Sequence, residues 1–287
     1  MYRFTLASAL LMLMATSGAM AQAAGPDGGA LGASGAEAAR AHATTVNPVT
    51  QGAQMPEASA RSGLVQDGTD VQVSSQGTDM PVVVELFTSQ GCISCPAADA
   101  VLSELGQRDD VIALALHVDY WDYIGWRDSF GDPAFTARQK GYARSAGRRS
   151  IYTPQMIVGG SFDVVGSRPM KVMEAVQKAS TIAPRAKLTV TRDGDVLKIH
   201  ASPLGPMPDT LVHLVRYTPK VTVDITAGEN EGRTVTYTHI AHGWQVLGMW
   251  NGDAPLELQT EVTGDDPIVV MLQENPYGPI LAASRLR

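Results

Sequence analysis

The chain has 287 residues, 29 Asp and Glu against 22 Lys and Arg, a net charge of -7, and only two cysteines. That charge argues against nucleic-acid binding and against an anionic membrane surface as a partner. Two cysteines cannot build a disulfide scaffold, so the fold must come from a buried core, and the length allows two modest domains.

The N-terminus has the form of a secretory signal peptide over residues 1–21. Arg3 supplies the positive start, Phe4 to Met14 are almost wholly apolar, and Ala19-Met20-Ala21 precedes Gln22 as a small-residue cleavage site. The apolar run is about half the ~20 residues of a spanning helix. No later stretch is long and apolar enough to span, so a periplasmic or secreted location is expected, with no stable membrane insertion after cleavage. Such a compartment permits disulfides. Residues 22–79 are rich in Ala, Gly, Ser and Thr and poor in large apolar side chains. They read as a disordered linker, because they bury too little to offset ordering entropy.

Order is expected from residue 80. "VVVELF" (82–87) has the continuous apolar character of a strand covered on both faces. After the polar turn Thr88 to Gly91, "CPAADAVLSELGQR" repeats Ala98, Val101, Leu102 and Leu105 at helical spacing. "VIALALHVD" (111–119) is a second buried strand. Strand, helix and strand in succession make a βαβ unit with parallel strands. Residues 120–150 read as a helical insertion. "IYTPQMIVGG" is a further strand, and "SRPMKVMEAVQKAS" a helix with Ser167 as its expected cap. Beyond Pro184 only strand patterns follow, beginning with a hairpin around Asp193-Gly194. The division expected is an α/β domain over 80–184 and an all-β, sandwich-like domain over 185–287.

The chemistry concentrates at Cys92 and Cys95. Residues three apart at a helix start share a face, with Cβ atoms about 5–6 Å apart, and a disulfide needs about 4 Å. A small adjustment therefore lets the pair pass between dithiol and disulfide. Unpaired N–H groups and the helix dipole favour a thiolate there. Cys92, nearer the exposed end, is expected to be the attacking sulfur and Cys95 the resolving one. Pro96 fits the first helical turn. Three plainer readings stand beside this: a permanent structural disulfide, half of a metal site, or a vestigial pair. His117, Asp119 and Tyr120 end the second strand and should lie near the thiols, where His117 or Asp119 could carry protons, or Asp119 could simply anchor the next helix. Tyr120, Trp121, Tyr123 and Trp126 offer either core packing or a surface for extended peptides. Arg148 and Arg149 could guide an acidic partner or lie solvated. Cys92, Cys95 and His117 form the alternative copper or zinc set. His239 and His242, three apart on a strand, should face opposite sides.

"VVVELFTSQGCISCPAADAVLSEL" with "YTPQMIVGG" resembles a thioredoxin-like domain. That resemblance implies a cis bond at Thr153-Pro154 opposite the thiols, with Pro154 shaping a substrate groove; Thr153, with the aromatic Trp121 and Trp126, is expected to contact the substrate. It also implies a buried acid near the thiols, which Glu85 resembles with one extra residue of spacing; the alternative for Glu85 is a paired structural carboxylate. "ELFTSQGC-S-CP-AD", "HVDYWDYIGW-D-F", "FTARQ", "YTPQMIV-G" and "GENEGRTVTYTHIAH" resemble more closely a secreted bacterial family catalogued as domain of unknown function 1223. These motifs span residues 80–287, and Ile93-Ser94 stands where that family usually has Ser-Ser. The resemblance implies a fold and no established reaction. The function expected is a thiol–disulfide oxidoreductase without a cofactor, acting on a protein or small-molecule thiol or disulfide. The alternatives are a metal chaperone using the same thiols and a non-catalytic binding module.

Overall fold

A computed structural model describes the short strand β1 (Val73–Ser74) and residues 80–287. The expected signal peptide lies outside these residues, as does the expected linker apart from β1, which pairs antiparallel with β6 through Val73 and Val190. Strand β2 (Val82–Thr88) and strand β3 (Val111–His117) are buried along their whole length, as their unbroken apolar runs require. They run parallel, joined by helix α1 (Pro96–Leu105). Helix α2 (Pro133–Ser145) starts where Asp132 accepts the Ala134 N–H at 2.8 Å and Pro133 fills the first turn. Strands β4 (Gln155–Val158) and β5 (Phe162–Val165) follow as an antiparallel pair, then helix α3 (Pro169–Ser180). The residue capping α3 is Arg168, with no side-chain cap bond, so Ser167 does not have the role expected of it.

The remaining strands are β6 (Ala186–Asp193), β7 (Val196–Pro203), β8 (Thr210–Asp224), β9 (Thr234–Trp250), β10 (Leu256–Glu261), β11 (Ile268–Glu274) and β12 (Ile280–Leu286). The fold is mixed α/β with one large and one small sheet. The large sheet has the order β12-β11-β8-β9-β3-β2-β4-β5, and the small one β1-β6-β7-β10. Strands from before and after residue 184 therefore share one sheet, joined where β9 runs parallel to β3 at Ile240 and Ala115. One core, with Val82, Val84 and Leu86, lies beneath α1 and α3. A second, with Val83, Phe87 and Tyr142, lies on the opposite face beneath α2. A third lies between the small sheet and strands β8, β11 and β12.

Candidate functional site around the Cys92–Cys95 disulfide

Strand β2 delivers the chain to a tight turn at its C-terminal end. The Ser89 hydroxyl accepts the Gly91 N–H at 3.1 Å, and the Ser89 carbonyl accepts the Cys92 N–H at 3.1 Å. Cys92 and Cys95 are joined by a disulfide, with Cα atoms 5.4 Å apart. Cys95 caps α1, Pro96 opens it, and the Cys95 carbonyl accepts the Asp99 N–H at 3.0 Å. The expected exposure of Cys92 is not what the fold gives. Cys92 is 1 % exposed and Cys95 0 %, although Ile93 between them is 56 % exposed. Both sulfurs are buried, and two segments distant in sequence close over the turn that carries them.

The first cover is residues 120–131, the opening part of the helical insertion expected over 120–150, whose helix is α2. It forms one short 3-10 turn (Asp122–Ile124) before α2 begins at Pro133. A Cβ at Gly91 would lie 3.1 Å from the Trp121 Cβ, so a larger residue there would push this segment outward by a few tenths of an ångström. The Trp121 indole N–H donates to the Thr153 hydroxyl at 2.8 Å and stacks on Tyr123, which is 80 % exposed. The Thr153–Pro154 bond is cis. The antiparallel register of Phe87 with Gln155 puts Pro154 at the same sheet edge as the Ser89–Gly91 turn. Trp121 thus bridges the cysteine turn and the proline loop. The second cover is the loop joining β8 and β9, residues 225–233. Its Asn230, fully buried, donates both amide hydrogens to the CxxC turn, to the Gln90 carbonyl at 2.8 Å and the Cys92 carbonyl at 3.0 Å.

Gln90 is where the two covers meet. Its N–H donates to Asp128 at 2.8 Å, its side chain accepts from the Trp126 indole at 2.8 Å and donates to Ser129 at 3.1 Å, and its carbonyl is held by Asn230. Trp126 is thereby a support of the turn as well as a partly exposed aromatic surface.

Behind the disulfide lies a buried polar cluster. His117 Nδ1 pairs with Asp128 Oδ2 at 2.8 Å, and its ring is held edge-on by Phe130 and Tyr237. Its Nε2 has no partner. Burial pushes the Asp128 carboxyl up, but the His117 charge and the donors His117, Gln90 and Phe130 together hold it below the usual carboxylate range. Asp99 occupies the face of α1 one turn beyond Cys95. Neither of its carboxyl oxygens has a well-formed hydrogen bond, although the Thr88 hydroxyl lies near enough to interact with it. Burial raises its pKa to about 7, and the His117 charge and nearby Thr88 only partly oppose this. Sequence reasoning missed Asp99 and Asp128. The signal for Asp99 was its i+4 spacing from Cys95 within "CPAAD".

Two expected site residues stand elsewhere. Glu85 alternates onto the α2 face of β2 together with Val83 and Phe87, away from α1. There Arg138 grips it with two hydrogen bonds of 2.6 and 3.1 Å, and the Tyr142 hydroxyl donates to it at 2.5 Å. Arg138 is itself stacked on Trp244, 4.2 Å from the ring centroid. Glu85 is the paired structural carboxylate, and it is not placed to serve Cys95. Asp119 accepts from the Thr136 hydroxyl at 2.5 Å and so anchors the first turn of α2. Arg148 pairs with Asp163. His239 packs against Gly106 and Tyr217, and His242 faces Asp266 at 3.1 Å. Among the described residues no three His, Cys, Asp or Glu side chains are grouped to hold a metal ion, and His117 is committed to Asp128. No helix among them is long and apolar enough to cross a membrane.

Fold and site together define a mixed α/β protein carrying a covered disulfide at the start of a helix. The chain belongs to the family described as protein of unknown function (DUF1223), whose model matches residues 83–273. It is similar to the crystal structure of a protein from Agrobacterium tumefaciens, at 33 % identity and a TM-score of 0.62, covering 71 % of this chain and 93 % of that one. A weaker likeness is to HBP35 of Porphyromonas gingivalis, at 14 % identity and a TM-score of 0.49, covering 73 % of this chain and 76 % of that one. None of the curated proteins matches the chain significantly.

Proposed function

We propose that the protein is an exported thiol–disulfide oxidoreductase, built on a thioredoxin-like arrangement of β2, α1, β3 and β4 with a sandwich-like β portion. It needs no cofactor and acts in the periplasm or outside the cell on a protein or small-molecule thiol. Neither nucleic acid nor a membrane is a partner in this reading. The observation that carries it is Asp99. An unpaired buried carboxyl is costly, and a static crosslink has no use for one. Perturbed acids of this kind cluster where protons are moved.

In the reductive direction an incoming thiolate attacks Cys92 Sγ, and the Cys92–Cys95 bond breaks. Cys95 leaves as a thiolate and takes a proton from the neutral Asp99 carboxyl one turn behind it. A second thiolate from the same donor attacks the donor sulfur of the mixed disulfide, releasing Cys92. The donor is oxidised to its disulfide and the protein reduced to its dithiol. The reverse sequence oxidises a substrate dithiol, with the Asp99 carboxylate receiving the Cys95 proton.

The test is to express Cys95→Ser and look for mixed disulfides with other proteins or small thiols. Adducts on Cys92, absent from Cys92→Ser, are the expected outcome. A second reading is favoured by one observation, the 1 % and 0 % exposure of the two cysteines: a permanent crosslink closing the turn. If Cys95→Ser yields no adducts and the wild-type disulfide resists thiols in the folded protein, the crosslink reading replaces the first.

A further inference from the structure

Attack on a disulfide follows the line of the S–S bond, so the thiolate must reach Cys92 Sγ from the side away from Cys95, and access decides the rate. At 1 % exposure Cys92 offers no such approach until part of its cover moves. The two covers differ in how they are fastened. Residues 120–131 are tied at many points: Asp128 to Gln90, His117 and Phe130, Asp122 to the Asp128 N–H at 3.1 Å, and Trp121 to Thr153. The 225–233 loop holds its own shape through backbone bonds from Ile225 to Arg233 and from Gly232 to Ile225. Around Asn230 its residues Glu229, Glu231, Gly232 and Arg233 are all exposed. The loop's side-chain hydrogen bonds to the cysteine turn are the two from Asn230, and it rests beside Trp126 through Gly228.

We propose that Asn230 is a specificity-determining latch, whose release uncovers Cys92 and thereby sets which thiols react and how fast. Gly228 is the pivot side of the device. It stands at φ +78°, and a Cβ there would lie 3.0 Å from the Trp126 Cβ, so the loop needs glycine where it seats against the Ile124–Trp126 backbone. When the latch opens, the loop can leave as a unit, because its internal bonds do not involve the CxxC turn. The carbonyls of Gln90 and Cys92 then meet water instead of the Asn230 amide, at little cost. The inference rests on reading Cys92 as the attacked sulfur.

The experiment is the rate of disulfide reduction by dithiothreitol in the folded, full-length chain, followed by thiol labelling and mass spectrometry. Asn230→Ala and Asn230→Asp remove the paired donors, and each should react about tenfold or more faster than wild type. Trp126→Phe keeps an aromatic ring while losing the indole N–H and some bulk, and should stay within about threefold. The rates in Asn230→Ala should change little in low urea, the signature of a local opening that exposes little surface. Rates for both Asn230 variants within twofold of wild type overturn the latch. So does a steep urea dependence, which would mean that reduction follows global unfolding. Chemical reduction reads access whether or not the protein has a redox partner. Failure here therefore leaves the trapping result with Cys95→Ser standing, and failure of trapping leaves the latch standing.

Discussion

Asp99 shows how much one side chain can settle. Its carboxyl has a folded pKa of about 7 against an ordinary 3.8, because burial disfavours the charged form. The folded state thus holds a proton that the unfolded chain gives up above about pH 4. Stability from this group is fully present below that pH, declines as pH rises toward 7, and is gone above it. The span corresponds to a few kcal/mol. Asp99→Asn should flatten the urea midpoint between pH 4 and 7 and raise stability at pH 8 by about 1–3 kcal/mol. A midpoint with the same pH profile as wild type would show that Asp99 is not the titrating group. The choice between Asp99 and Glu85 was only half legible in the sequence. The alternation of Val83, Glu85 and Phe87 already puts Glu85 on one face of β2. Which face receives α1, and that Arg138 waits on the other, depends on contacts 53 residues apart.

At the scale of elements, the local signals did well. The β2–α1–β3 unit, α3 and the turn at Gly194 all follow from period, proline placement and glycine, features that depend on near neighbours. The stretch 120–131 is where local reasoning ran out. "YWDYIGW" suggests a helix by composition, but Gly125 at φ +93° ends the turn after three residues. The segment instead takes its shape from what it grips. Asp128 is the centre of that grip, accepting from Gln90, His117 and Phe130. Asp128→Ala should lower stability by about 3 kcal/mol, since it strands His117 and two N–H groups. Proteolysis under native conditions should then cut first within residues 120–131. Loss of stability with cleavage spread evenly along the chain would argue that the segment is not held by Asp128.

The whole molecule rests on a pairing that no short window encodes. Strand β9 lies beside β3 although more than 100 residues separate them, and through that join the later strands extend the sheet begun by β2. The sequence pattern after Pro184 identifies strands correctly and says nothing about which edge they meet, because an edge has no signature in the chain that supplies it. Strand β9 meets β3 at the single pair Ala115 and Ile240, and without that neighbour the apolar strand β3 would become an exposed edge, a template for aggregation. A fragment of residues 80–184 should therefore show no cooperative urea transition and should aggregate, while residues 80–287 unfold sharply. A soluble, cooperatively folding 80–184 fragment would mean that the β3 edge is protected in some other way.

Trp121 and Trp126, two of the four indoles in the chain, stand against the cysteine turn. An excited indole readily passes an electron to an adjacent S–S bond and goes dark. Cleaving the bridge is therefore expected to brighten the protein, which its emission before and after dithiothreitol would check with no label attached.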